Sequence, residues 1–190
     1  MTTSTPWGPA QQSKAYGRDI TFYSTAGHGG FRVAPSLLPL MPDYLRAADR
    51  YADGNAGWFE EDCAWSLVVS AFPDRFDEKT RENAKCTFRN TYPNEYEKFY
   101  NVRLQPGESH ARDEELFLEA HVGDYLVLSA FGDWHARVPK GYVALFARRG
   151  GASDLRKDDK WFLVLTEEYQ RQGGHFVCRP EIHQEIAPIQ

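Results

Sequence analysis

The chain has 190 residues, 42% hydrophobic and 14% aromatic, with a formal net charge of −5 and a pI of about 5.7. That length suits one domain, with room for an appended subdomain, and buries about 70% of the extended-chain surface without a disulfide or metal. The composition excludes a disordered chain, and the acidic balance argues against a duplex-binding protein, which needs a basic face to displace counterions.

Cys63, Cys86 and Cys178 are odd in number, widely spaced and free of any CxxC motif, the pattern of a reduced cytoplasmic protein. The opening "MTTSTPWGPAQQSKAYG" has no basic stretch followed by an apolar core, so no signal peptide is expected. No apolar run approaches the about 20 residues of a membrane span.

Residues 1–17 are polar and expected to wrap the surface, with Trp7 as an anchor. "DITFYSTAGHGGFRV" reads as a hairpin, because Ile20, Phe22 and Phe31, Val33 are spaced two apart on either side of a Gly-rich reversal. Prolines 35, 39 and 42 stop the strand, and a short helix from about Pro42 to Arg50 leads into a Gly/Asn loop. "GWFEEDCAWSLVVSAFP" reads as a helix with Trp65, Val68, Val69 and Phe72 on one face, ended by Pro73. A more polar helix spans about Asp77 to Thr91 with Ala84 and Phe88 inward, and Pro93 opens the short helix "PNEYEKFY". Residues 103–115 form a charged connector and the candidate internal boundary. Beyond it "YLVLSAF" (125–131), "YVALFAR" (142–148), "KWFLVLT" (160–166) and "HFVC" (175–178) read as strands, and "TEEYQRQ" as a helical turn capped by Thr166.

Three clusters carry chemistry-bearing side chains. In "GHGG", glycines at 27, 29 and 30 flank His28. Glycine admits close approach of a ligand, and a histidine of pKa about 6.5 serves as base or metal ligand near neutrality. The competing reading is a hairpin tip whose glycines make the turn. In "EEDC", Glu60, Glu61 and Asp62 complement the dipole of a helix start by about 0.3–1 kcal/mol each. Cys63 there is a candidate thiolate or simply a small buried residue. In "GDWHARVPKG", Asp133 and His135 share a face if the chain is extended, as in a carboxylate that orients a general base, with Trp134 then directed into the core. The alternative is a polar loop. No GxSxG nucleophile elbow occurs. His28, Asp133 and His135, with Glu61, are also chemically adequate for a divalent metal if they converge. His121, His175 and His183 have less context and are read as structural or exposed.

"TPWGPAQ", "YSTAGHGGF", "GWFEEDCAW" and "FGDWHARVPKGYVALFARRGG", followed by "FLVLTEEY", resemble an uncharacterised family of bacterial phage, plasmid and integrative-element proteins, from about Thr5 to Pro180. The family looks like one without an assigned activity. The resemblance implies a mobile-element setting, and so roles such as inhibiting a host defence system, regulating transfer or modifying a host target.

The expectation is therefore an α+β chain, residues 1–190 as one domain, with a predominantly antiparallel sheet, helices on one face, and the GHGG and GDWH loops at one sheet edge. The leading function is a small cytoplasmic mobile-element protein that binds a host or phage protein, for example in an anti-CRISPR or anti-restriction role. Its abundant aromatic residues are a type enriched at interfaces. The alternative is a hydrolase or transferase with His28 or His135 as base, Asp133 and Glu61 as carboxylates, and Gly27, Gly29, Gly30 and Trp134 as binding residues. Nucleic acid is not expected as a partner, because it would need a basic surface around Arg148, Arg149, Arg156 and Lys157. None of the motifs specifies a cofactor.

Overall fold

A computed structural model describes residues 3–48, 57–152, 158–172 and 175–189. The C-terminal end of the helix read at 42–50, the Gly/Asn loop up to residue 56, the Arg156–Lys157 pair and Gly173-Gly174 lie outside the described residues. The chain divides into two units, Met1–Asp113 and Glu114–Gln190, and the division lies within the 103–115 stretch. The fold is α+β, and among the described residues every strand pairing is antiparallel.

The first unit opens with a small ladder of β1 (Ser4–Thr5) and β2 (Gly8–Pro9). The Thr5 hydroxyl ties its turn by donating to the Gly8 carbonyl at 2.8 Å. Next come β3 (Gln12–Ala15), β4 (Ile20–Ser24), β5 (Gly29–Val33), α1 (Asp43–Ala48) and β6 (Trp58–Glu60). The four strands from β3 to β6 form one sheet in sequence order. Its register places Ile20 opposite Val33 and Phe22, Phe31 and Phe59 in one row, which fills the core side expected for the hairpin. Two-residue alternation gives the other side Thr21, Arg32 and Trp58 in one row and Tyr23, Gly30 and Glu60 in the next.

The segment 57–72 departs from the single helix expected. Only α2 (Trp65–Ala71) is helical, and the first residues form β6. Phe59 is buried beside Phe31, a stronger demand than local helical periodicity. α2 buries Leu67, Val68 and Val69 and ends before Pro73. α3 (Glu78–Thr91) is as read: Asp77 accepts the Thr80 N–H at 2.8 Å as N-cap, and Ala84 and Phe88 are fully buried. α4 (Pro93–Tyr100) begins on its proline and stops at Asn101, which adopts the left-handed conformation. The connector read at 103–115 instead runs into α5 (His110–Ala120). None of the α5 residues is buried, so no apolar period marked it.

The second unit carries β7 (Tyr125–Phe131), β8 (Tyr142–Arg149), β9 (Asp159–Leu165), α6 (Thr166–Gln172), β10 (Val177–Cys178) and β11 (Gln184–Ile186). The strands lie in the order β10-β7-β8-β9-β11, with a bulge between Val127 and Ser129. One face buries Leu145, Ala147, Phe162 and Val164 under Tyr169 of α6 and Phe176. The other gathers Ala144, Val138 and Ile189 with half-buried Phe131, Tyr142, Trp161 and Leu163. The GHGG and GDWH segments therefore do not share a sheet edge. The first joins β4 to β5 of the four-stranded sheet, and the second joins β7 to β8 of the five-stranded one.

Candidate functional site

In the first unit the turn is closed by Thr25, not by the glycines. The Thr25 N–H and hydroxyl both donate to the His28 carbonyl at 2.7 Å, and the hydroxyl accepts the His28 N–H at 3.2 Å. The His28 side chain is exposed. Gly27, Gly29 and Gly30 are absent from the positive-φ residues, and the latter two are buried in β5, which corrects their reading as turn-makers. A Cβ on Gly29 would stand 2.9 Å from the Phe22 ring and the Tyr23 carbonyl, and one on Gly30 would overlap the Trp7 indole and the Phe59 carbonyl. These glycines serve close packing.

The acidic run precedes the helix by several residues, which corrects its placement in a first helical turn. Glu60 ends β6, and its carboxylate accepts the N–H groups of Asp62, of Cys63 at 2.7 Å and of Ala64 at 2.8 Å. The Glu61 N–H donates to the Gly29 carbonyl at 3.0 Å, and its carboxylate lies over Gly29. The strand pairing thus brings Glu61 to the residue beside His28.

In the second unit the GDWH segment is a series of turns, so the extended-chain face-sharing expected for Asp133 and His135 does not arise. Asp133 accepts the Gly141 N–H at 3.3 Å and stands 3.7 Å from the Lys140 ammonium. His135 Nδ1 accepts the Arg137 N–H at 3.3 Å. Trp134 is 74% exposed, which overturns the expectation that it enters the core; Val138 is the residue this loop buries. The indole folds back over Gly132, and its ring centroid lies 6.2 Å from that of Phe131. Beside it, Gly132, Asp133, Lys140, Tyr142, Leu165 and Glu167 line an open groove of about 540 Å³. Leu165, 51% exposed, and Glu167 were missed as site residues, although an apolar strand end running into "TEE" was a readable signal. From Trp134 a line of rings continues through Phe131 to Trp161 at 5.5 Å and Phe146 at 5.2 Å.

The basic residues considered for nucleic acid are neutralised where they are described. Arg148 makes two bonds to Asp159, at 2.6 and 3.0 Å, and Arg149 bonds Asp158 at 2.8 Å. The hydrogen bond from Arg149 lowers the Asp158 pKa, and the same bond raises that of Arg149. His121 pairs with Asp124 and His175 with Glu114, while His183 is buried between the Arg179 N–H and Glu168. Burial pushes the Cys178 thiol up to about 12. Among the described residues no three His, Cys, Asp or Glu are grouped to hold a metal ion, and no helix is long and apolar enough to cross a membrane.

The sequence model of a domain of unknown function, DUF7007, matches residues 1–122. The chain belongs to this family. The DUF7007 match covers the WGPAQ, GHGG and EEDC segments and all of α5, and the GDWH segment lies beyond it. No curated protein and no solved structure matches the chain.

Proposed function

We propose that this DUF7007 chain is a cytoplasmic, mobile-element protein that works by binding a host protein, as an inhibitor or modulator of a defence system. The exposure of Trp134 beside the Leu165 groove carries the binding reading. Tryptophan is enriched among the residues that dominate interface energetics, and a large apolar ring left in water at a groove rim has its main use in a complex. The mobile-element setting rests on the motif resemblance. The test compares phage plating on bacteria armed with a restriction or CRISPR system, with and without the protein. Plating is expected to rise with the wild type and fall back with Trp134→Ala at equal expression. No rise in any armed host, or an undiminished rise with Trp134→Ala, would overturn the reading.

Glu61 beside Gly29 favours a second reading, a hydrolase or transferase with exposed His28 as base and Glu61 as its carboxylate partner. Anti-defence activity that is lost with His28→Ala and retained with Trp134→Ala would select it over the first.

A further inference from the structure

The sheet face of the first unit opposite its helices carries a cation without a counter-charge. Among the described residues three arginines lie on sheet strands: Arg32 on β5 and Arg148 and Arg149 on β8. The β8 pair is held by aspartates. Arg32 has no hydrogen-bond or ion-pair partner among the described residues; its guanidinium lies over the Trp58 ring, 5.2 Å from the centroid. Glu60 shares this face by register, but its carboxylate is turned to the N–H groups of residues 62–64.

We propose that Arg32 is the anchor of an oxyanion site on this face, taking a carboxylate or phosphate group of a ligand. The geometry supports this in three ways. Trp58 is buried, with Trp7 edge-on at 5.8 Å and Tyr23 at 5.4 Å, so the ring that carries the guanidinium is fixed on two sides. A guanidinium that meets only a ring face keeps N–H groups free, and these take a carboxylate or phosphate by two parallel bonds. Thr21 lies opposite Arg32 in the strand register and Tyr23 follows one row on, so two hydroxyl-bearing residues share this face with the cation. The same cluster argues against a cationic ligand, because Arg32 already occupies the Trp58 ring. This site goes beyond the protein-binding reading and does not depend on Trp134.

The test is a titration of the whole chain, followed by NMR at the arginine Nε–H resonances, with inorganic phosphate and, separately, acetate. The Arg32 resonance is expected to move saturably with at least one anion, while those of Arg148 and Arg149 stay. Saturation by phosphate alone assigns a phosphate-bearing ligand, and by acetate alone a carboxylate. Arg32→Lys, which keeps the charge and loses the fork, is expected to weaken binding by about tenfold. An Arg32 resonance that stays still, or drifts without saturation in step with the other two, overturns the proposal. Should the lysine variant fail to fold, the wild-type titration decides alone.

Discussion

The GHGG hairpin and the GDWH loop look alike in sequence, each a histidine among glycines and an aromatic, yet they are built in opposite senses. In the first, the rings turn inward onto the glycines: Trp7 from outside the hairpin lies on Gly30, Phe22 of β4 crowds Gly29, and Thr25 holds the turn. In the second, the tryptophan belongs to the loop and faces water, with only Val138 buried. A glycine-rich motif is thus ambiguous until it is known whether its missing side chains make room for the protein's own rings or for a partner's. The contrast also ranks the two as sites. Gly29 and Gly30 are accounted for by packing, whereas nothing in the fold requires Trp134 to be exposed.

The largest expected break of this contrast is Gly30→Ala. Its Cβ would overlap both a ring and a backbone carbonyl, and overpacking of this kind costs about 3 kcal/mol. Gly27→Ala, with nothing within 4 Å, is expected to change stability by less than about 0.5 kcal/mol. Urea unfolding measures both. The Phe59 carbonyl adds a sharper form: removing the ring in Trp7→Ala/Gly30→Ala leaves that backbone clash, so the double variant is not rescued to the stability of Trp7→Ala. Equal costs at positions 27 and 30 would undo the packing account.

Next in size is the opposite pattern at Trp134. With the ring largely solvated, Trp134→Ala is expected to leave unfolding free energy within about 0.5 kcal/mol of wild type. Thermal or urea denaturation that shows a loss above 2 kcal/mol would make Trp134 a structural residue like Trp7. The smallest effect concerns α3, which serves as a reference outside both motifs. Bonding to Thr80 lowers the Asp77 pKa below its ordinary 3.8. A carboxyl depressed on folding contributes stability above its unfolded value and loses it as pH falls through its folded one. The stability gap between wild type and Asp77→Asn should therefore be present at neutral pH and close below pH 3.8; a gap that persists unchanged in acid would contradict the cap.

Much of the fold was legible because its signals are local. Asp77, Ala84, Phe88 and Pro93 mark two helices through caps and spacing, and the β-branched and aromatic runs of β7, β8 and β9 mark strands. What escaped depends on distant partners. Trp58–Glu60 joins a sheet because Phe31 lies opposite Phe59, and α5 buries nothing that would print a period. The candidate site divides in the same way. His28, Asp133 and Trp134 were found from residue type, but the exposure of Trp134 and the grooveward position of Leu165 follow from how the loop turns at Gly132 and Gly141. Arg32 drew no attention because an arginine in a strand gains meaning only when its neighbours prove to lack a carboxylate for it.

The edge-on contact of Trp7 with Trp58 also gives the molecule an optical signature. Two indoles with centroids 5.8 Å apart and planes at 88° couple their excited states, so their near-ultraviolet circular dichroism depends on both being in place. Trp134 lies in the other unit and is 74% exposed, so its emission is expected to be that of an indole in water. Seating of Trp7 on the sheet can then be followed by dichroism, and occupancy of the GDWH groove by the part of the emission that Trp134→Ala removes.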